Sequence, residues 1–244
     1  MERYTPGRSR HVTQFMTHRS LATHGAFFRP FLWPGAIVLD CGCGPGTITA
    51  GIAQAVSPGG SVTGVDVNAK QIEQARKDLA RFANAELRVS DAYTLPFPDG
   101  HFDAVLSHAL FEHLAEPVRA AREVLRVLRA GGVFGVRSPD WTGKLAAPPS
   151  SEVDAALRGY GEKQAGNGGD LAIGRKLGSI LRDAGFGAIR QSASYECYSP
   201  PGVIGEYLAR QVGDEDASAL RNWANSEGAF FAQAWGEAIG TKTI

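Results

Sequence analysis

The chain has 244 residues, 43% of them hydrophobic, so it is long enough to form one large domain with a substantial core. Its 25 basic side chains are balanced by 25 acidic ones. Nucleic-acid binding usually needs a basic excess, because phosphate contacts supply much of the affinity. The balanced charge therefore argues against a DNA or RNA partner.

The hydropathy and the cysteine content of the chain indicate whether it crosses a membrane and which cellular compartment it occupies. No apolar run approaches the ~20 residues that cross a bilayer, and the first eight residues lack the apolar stretch of a signal peptide. Cys41, Cys43 and Cys197 are too few for a disulfide framework, and Cys41-x-Cys43 lacks the spacing of a metal or redox pair. We therefore expect a cytoplasmic protein with neither a membrane span nor a metal.

The N-terminal half alternates between strand and helix patterns. Apolar residues at loose helical spacing predict a helix from Thr13 to Leu32, and then short apolar runs alternate with helical stretches. Such alternation predicts a doubly wound α/β fold of six or seven mostly parallel strands with helices on both faces. The predicted strands are 36–40, 61–66, 85–90, 102–107 and 133–137, and the helices between them begin near Thr47, Asn68 and Glu116.

The C-terminal half has a weaker pattern. Residues 139–172 are rich in Pro, Gly and Ala, with a helix expected near 151–160; a clearer helix covers 174–184 and ends at Gly185. A sixth strand is predicted at 189–195, and the last ~45 residues look helical, with no clear seventh strand. We therefore divide the chain into an N-terminal helical cover (1–34), a core (35–198) with a lid or insert at 139–172, and a C-terminal helical segment (199–244).

A glycine-rich turn, Asp40-x-Gly42-x-Gly44-x-Gly46, follows the first predicted strand and leads into a helix. Glycine lets a backbone turn tightly and approach a ligand closely, and ligands of open α/β sheets bind at the carboxyl ends of the strands. Asp66 and Asp91 end the second and third strands, where they could bind a ribose and an adenine. Singly, each feature could be a tight turn or a helix cap; together they favour a nucleoside cofactor.

The acid before the first glycine helps to choose that cofactor. A dinucleotide fingerprint reads G-x-G-x-x-G, but counting from Gly42 places Thr47 where the last glycine belongs. Asp40 would repel a diphosphate and attract an ammonium group. A cofactor with an amino-acid tail therefore fits better than NAD.

Four segments, residues 37–46, 64–66, 91–103 and 122–132, together resemble the successive motifs of class I S-adenosylmethionine-dependent methyltransferases. The resemblance is strongest to the ubiquinone/menaquinone-biosynthesis type, which acts on small molecules. The four segments lie between residues 36 and 138, and weaker similarity extends to Tyr4-Thr-Pro-Gly7 and to residues 168–175. The resemblance implies a Rossmann-like sheet, usually with a seventh, antiparallel strand. It implies a cofactor site made of Tyr4, His18, Arg19, Asp40, Gly42, Cys43, Gly44, Gly46, Asp66, Val67, Asp91, Ala92 and Ser107.

The acceptor side is less defined. We expect a substrate pocket near His108, Phe111, Asp140 and Trp141, with other aromatic residues either lining it or in the core. His108 could act as a general base or merely line the pocket, and Asp140 could touch substrate or cap the next segment. For Glu112 and His113, a helix-surface or structural role is the simpler expectation.

The sequence thus predicts an enzyme that methylates a small, apolar or aromatic metabolite by in-line displacement, as a monomer or homodimer. An NAD-type oxidoreductase is disfavoured by Asp40 and by the missing glycine. A non-catalytic S-adenosylmethionine-binding protein is disfavoured because Asp40, Asp66 and Asp91 are all present. Neutral charge and the lack of an added binding domain argue against a macromolecular acceptor.

Overall fold

The computed structural model describes Thr5, Thr13 and residues 15–243, and within them seven strands form one sheet in the order β3-β2-β1-β4-β5-β7-β6. The first five strands are parallel and β7 is antiparallel to both of its neighbours. The strands are β1 (Ile37–Cys41), β2 (Ser61–Asp66), β3 (Ala85–Val89), β4 (Phe102–His108), β5 (Leu128–Ala147), β6 (Gly187–Tyr198) and β7 (Phe230–Thr241).

Helices cover the sheet, as the alternation predicted. They are α1 (Leu21–His24), α2 (Thr47–Ala55), α3 (Ala69–Asp78), α4 (Pro117–Val127), α5 (Ser151–Gly166), α6 (Leu177–Ala184), α7 (Gly202–Ala209) and α8 (Asp214–Ala224), with 3₁₀ turns at Ala26–Phe31, Phe111–His113 and Ile173–Lys176. None of the helices in the described part of the chain is long and apolar enough to cross a membrane.

The helix faces follow from the sequence with one correction. Asn68 caps α3 by accepting from the amides of Lys70 and Gln71, and the predicted apolar face is buried at Ile72 and Ala75. The apolar spacing predicts a buried face of α4 formed by Val118, Ala121, Leu125 and Leu128. Ala121 and Leu128 are buried, but Val118 and Leu125 are only partly buried, and the buried face of α4 is completed by Ala120, Val124 and Val127. Small alanines at the centre of this face allow α4 to lie close to the sheet.

The single N-terminal helix expected from Thr13 to Leu32 is also wrong. Thr13, Phe15 and Met16 are helical, but α1 has only four residues, and the 3₁₀ turn at Ala26–Phe31 contains Pro30. Ser20 begins α1 by accepting from the amide of Thr23, and Gly25 follows its end. Serine and glycine therefore divide this segment into short turns.

The largest correction concerns the C-terminal segment, which is not helical throughout. Its helices α7 and α8 are followed by β7, which inserts between β5 and β6. Strand β5 also continues beyond the predicted 133–137, and its extension Leu145–Ala147 pairs with Phe230–Ala232 of β7. Residues 139–147 are therefore strand rather than lid.

A second apolar cluster lies beside this extension. It joins α5, α7 and α8 through side chains that include Leu157, Leu208, Leu220 and Trp223, and it includes Phe231 of β7. Trp223 and Phe231, which could have lined a pocket, are core residues here. The cluster forms a wall next to the carboxyl ends of β4 and β5.

Candidate active site

The glycine turn after β1 has the strained backbone that its sequence predicted. Gly42, Gly44 and Gly46 have φ values of 82°, 50° and 78°, a region that favours glycine. The amides of Gly42 and Cys43 both donate to the carbonyl of Val65, at 2.8 and 2.9 Å. These bonds fix the turn to β2 and hold it open at the end of the sheet.

Asp40 lies beneath this turn and is 2% exposed. Its Oδ2 accepts a hydrogen bond of 2.6 Å from the hydroxyl of Thr49. Burial raises the pKa of Asp40 to about 7, and the charge of Asp66 raises it further, although the Thr49 bond opposes this. A cation placed next to this carboxylate would therefore be strongly favoured.

Asp66 connects the turn to β2. Its Oδ2 accepts from the amide of Gly44 at 3.0 Å, and its Oδ1 accepts from the amide of Asn68 at 2.8 Å. A carboxylate accepts hydrogen bonds only, so the chemistry of this group suits a ligand that carries hydroxyls. Asp66 therefore both shapes the turn and offers acceptors to a ligand.

These residues line two adjoining cavities. The turn cavity contains Asp40, the glycine turn, Asn68 and Gln71 on one side, with Arg19, His108 and Ala109 on the other. The side cavity lies past Asp66 and is lined by Val67, Asp91, Ala92 and Tyr93, among others. Asp66, Val67 and Leu110 border both, so one elongated ligand can occupy the two cavities together.

The side cavity has the chemistry expected for a nucleoside base. Val67 is 56% exposed although it is apolar, which leaves its side chain available to pack on a ring. Asp91 accepts from the amide of Tyr93 at 2.9 Å and remains exposed. An exposed carboxylate beside an exposed apolar side chain suits a flat ring that carries an amino group.

A third cavity shares Arg19 and Ala109 with the turn cavity. We name it the aromatic cavity. Gln164 and Gln233 supply amide groups, and Glu112 supplies a carboxylate. Its rings are those of Phe15, Trp141, Tyr160, Tyr198, Tyr207 and Trp235.

Several polar atoms of residues lining this cavity are buried without a partner. Among the described residues, Oε1 of Gln164, Oε1 of Gln233 and Nε1 of Trp235 make no hydrogen bond. Leaving such groups unpaired costs about 1–3 kcal/mol each. Two acceptors and one donor next to the aromatic cavity are therefore unpaired.

Glu112 is in the 3₁₀ turn after β4 and is 4% exposed, so of the two expected positions, helix-surface or structural, the surface one is wrong. Its Oε2 accepts from the hydroxyl of Ser138 at 2.9 Å, and Oε1 is 3.7 Å from Nε2 of His113. Burial raises the pKa of Glu112 to about 7, whereas burial lowers that of His113 to about 3. His113 is therefore neutral and does not compensate the carboxylate.

His108 is held from behind by Arg137. Nη1 of Arg137 donates to Nε2 of His108 at 2.8 Å, and the same guanidinium pairs with Glu237 at 3.2 Å. Trp235 lies against both, 5.0 Å from the His108 ring and 4.1 Å from the guanidinium carbon. Burial, with the charges of Arg19 and Arg137, holds the pKa of His108 well below its usual value.

Ala109 stands where the turn cavity meets the aromatic cavity. It has a φ of 54°, which is uncommon for a residue other than glycine, and its amide donates to the carbonyl of Arg137 at 2.9 Å. Arg19 borders the same two cavities. Arg19 and Ala109 therefore form a junction between the two cavities.

Most of the residues that were predicted to bind the cofactor border these cavities, but some do not. Those that do are Arg19, Asp40, Gly42, Cys43, Gly44, Asp66, Val67, Asp91 and Ala92, whereas Gly46 borders none of the three cavities. Ser107 does not border a cavity, and its buried hydroxyl has no partner among the described residues. His18 is exposed outside the cavities, and Tyr4 lies outside the described residues.

Of the four residues predicted for the substrate pocket, two line cavities and two do not. His108 and Trp141 line cavities, but Phe111 is 1% exposed in the main core against Phe134. Asp140 lines no cavity; it accepts from the amide and hydroxyl of Thr142 and pairs with Arg175. Asp140 therefore holds a local turn within β5 through Thr142 and pairs with Arg175.

Gln164 and Gln233 of the aromatic cavity were not among the residues predicted from the sequence. Gln233 and Trp235 come from β7, where large residues at odd positions alternate with Ala or Gly at even positions from Phe231 to Gly240. This period of two indicates a strand, but the alanines favour a helix. Nothing in the sequence marks Gln164, since its place depends on how α5 packs.

The chemical groups that line the turn cavity and the side cavity suit S-adenosylmethionine. The buried carboxylate of Asp40 suits the ammonium of the methionine end, and the acceptors of Asp66 suit a ribose diol. The side cavity suits adenine. A diphosphate would meet Asp40 and Asp66 together, with like charges repelling.

The comparisons with known proteins agree with this chemistry. The methyltransferase domain family matches residues 39–136. A methyltransferase of uncharacterised activity from Schizosaccharomyces pombe is 30% identical over 206 residues, which cover 80% of this chain and 73% of the relative. A demethylmenaquinone methyltransferase from Symbiobacterium thermophilum is 36% identical over 104 residues, 41% of each chain.

Two further matches bear on length and fold. An uncharacterised transposon protein from Streptomyces fradiae is 40% identical over 154 residues, which cover 63% of this chain and 44% of the relative. The chain therefore spans under half the length of some curated relatives. A Bacillus halodurans structure assigned to the methyltransferases superposes with a TM-score of 0.68 at 17% identity, covering 91% of this chain and 100% of that one, and it shares the fold.

Proposed function

Because the chain belongs to the class I S-adenosylmethionine-dependent methyltransferases, we propose that it methylates a small apolar or aromatic molecule bound in the aromatic cavity. The junction at Arg19 and Ala109 carries this proposal, since both residues border the turn cavity and the aromatic cavity. A donor in one cavity and an acceptor in the other would meet there.

The cofactor position follows from the carboxylates. Asp40 and the glycine turn would hold the methionine end, Asp66 the ribose, and Asp91 with Ala92 and Val67 the adenine. When bound, S-adenosylmethionine supplies a methyl group activated by a positively charged sulfur. The protein has to align donor and acceptor and exclude water, and such orientation can contribute ~7–11 kcal/mol.

The walls of the aromatic cavity support a small acceptor. Six rings line it, and their apolar faces suit an apolar or aromatic acceptor. The unpaired amide oxygens of Gln164 and Gln233 favour an acceptor that carries O–H or N–H groups. A relative that methylates demethylmenaquinone is consistent with an aromatic acceptor.

The chain's thiols fit a reducing compartment such as the cytoplasm. Cys41 and Cys43 are buried and free, and Cys197 is free and exposed. Burial raises the pKa of both Cys41 and Cys43, which keeps them protonated beside the cofactor. Neither is therefore a nucleophile in the transfer.

A metabolite screen tests the function. The protein is incubated with S-adenosylmethionine and a small-molecule library, and S-adenosylhomocysteine and methylated products are measured by mass spectrometry. We expect products from compounds with an aromatic ring and a hydroxyl or amine. Tight NAD binding without a response to S-adenosylhomocysteine in calorimetric titration would contradict the proposal.

A further inference from the structure

Resting on the proposed function, we propose that Glu112 is the catalytic base, accepting the proton that the acceptor loses as it is methylated. The residue follows β4 by four positions, next to the junction at Ala109, and it lines the aromatic cavity where the acceptor would lie. A carboxylate beside the acceptor can take up the proton when that proton must leave before or during the transfer, as with a phenol.

The surroundings of Glu112 leave its carboxylate able to accept a proton. No arginine or lysine within the described ranges forms an ion pair with it; its carboxylate accepts from a backbone amide at Glu112 and, at 2.9 Å, from the neutral hydroxyl of Ser138. The bond from Ser138 occupies one lone pair of Oε2 and fixes the carboxylate. The remaining lone pairs are therefore available to an O–H or N–H donor in the cavity.

The groups that face Glu112 come from several elements. They are Arg19 of the N-terminal segment, His113 of the same 3₁₀ turn, Tyr160 of α5 and Tyr207 of α7. Arg19 opposes the rise in the pKa of Glu112 that burial causes, and the pKa stays near 7. At neutral pH the carboxylate can therefore both take up a proton and release it.

His108 is a weaker candidate for this step. Its Nε2 accepts from Arg137, so in the neutral ring the proton is on Nδ1. A ring with its acceptor nitrogen occupied and its other nitrogen protonated offers no lone pair to an incoming proton. His108 lines the turn cavity and supports Trp235, which agrees with the pocket-lining role that the sequence left open.

The transfer balances without another reactant. The reacting atom of the acceptor forms a bond to the methyl carbon with the electrons of its bond to hydrogen, or with a lone pair. The carbon–sulfur bond breaks, and its electrons go to sulfur as a neutral thioether. The proton goes to the Glu112 carboxylate, which later returns it to water.

The first test uses 2-naphthol, a fluorescent hydroxyaromatic compound that loses its proton more readily in the excited state. With excess protein saturated with S-adenosylhomocysteine, naphtholate emission reports a base beside the hydroxyl. We expect this emission in wild type at pH 8 and its loss in Glu112→Gln, which keeps the size and can still accept from Ser138. Glu162→Gln, on the exposed side of α5, is the matched control and should resemble wild type.

The second test uses whichever acceptor the metabolite screen identifies. Glu112→Gln should lower kcat by about 100-fold or more, with the affinity for S-adenosylhomocysteine unchanged, and should remove the rise in kcat around pH 7. Ser138→Ala should shift that pH profile with a smaller loss of kcat, because it acts through Glu112.

Each contrary outcome identifies what has failed. Equal naphtholate emission in wild type and Glu112→Gln, or an unchanged pH profile, would overturn the assignment of Glu112. No binding of 2-naphthol alongside normal binding of S-adenosylhomocysteine would overturn the aromatic cavity as the place where Glu112 meets the acceptor. Loss of S-adenosylhomocysteine binding by wild type would instead reject the proposed function itself.

Discussion

Arg137 donates a hydrogen bond of 2.8 Å to Nε2 of His108, and this contact assigns His108 to the support of the site. Both side chains are buried, and Trp235 lies against them. Glu237 pairs with Arg137 and also accepts from the hydroxyls of Ser192 and Ser194. The network crosses β4, β5, β7 and β6, so it ties the parallel part of the sheet to its antiparallel edge.

His108→Ala should therefore destabilise the fold. It leaves a donor of Arg137 buried without a partner and creates a void beside Trp235, and together these effects should lower the free energy of unfolding by about 2–4 kcal/mol. Urea denaturation followed by tryptophan fluorescence measures the change. His108→Gln, whose side-chain oxygen can accept from Arg137, should lose less; equal losses would show that the hydrogen bond is unimportant.

Asp40→Asn tests the contact with the cofactor's amino group. The pKa of Asp40 is raised to about 7, so its carboxylate becomes ionised as pH rises from 6 to 8. Wild type should therefore bind S-adenosylhomocysteine more tightly at pH 8 than at pH 6, and Asp40→Asn should bind about 10-fold more weakly at pH 8 with little pH dependence. Calorimetric titration measures both. Adenosine, which lacks the amino-acid tail, is the control ligand and should show no effect of Asp40.

Asp66→Ala tests the contact with the ribose. Because Asp66 also holds the amides of Gly44 and Asn68, a simple loss of affinity could come from the turn alone. The informative comparison is adenosine against 2′,3′-dideoxyadenosine in wild type and variant. Wild type should prefer adenosine by about 10-fold or more, and Asp66→Ala should lose that preference. If the variant keeps the preference, Asp66 does not bind the ribose.

Glu112→Gln should change how stability depends on pH, independently of any acceptor. Folding raises the pKa of Glu112 from its usual 4.5 to about 7, so the folded state holds the proton more tightly than the unfolded state. Its contribution to stability is complete below pH 4.5, decreases as pH rises toward 7, and is lost above that.

A glutamine cannot ionise, so the variant should escape this decrease. Relative to wild type, Glu112→Gln should gain roughly 3 kcal/mol of unfolding free energy between pH 4.5 and pH 8. Urea denaturation at a series of pH values, with Glu162→Gln as the control, measures the gain. Parallel curves for wild type and Glu112→Gln would mean that Glu112 has an ordinary pKa in the folded protein.

The sequence by itself determined the doubly wound core and the cofactor side of the site. Asp40, Gly42–Gly46, Asp66 and Asp91 lie at the ends of consecutive parallel strands, so chain order alone brings them to one edge. Their proposed roles depend on local backbone geometry and on short motifs, and residues that are neighbours in the chain determine both.

The acceptor side was decided by the tertiary structure. Glu112, Gln164 and Gln233 come from the turn after β4, from α5 and from β7, which are far apart in the chain. They line one cavity only because β7 inserts beside β5 and the second apolar cluster positions α5 and α7. The burial that raises the pKa of Glu112 likewise depends on those packed neighbours, and no local sequence pattern encodes it.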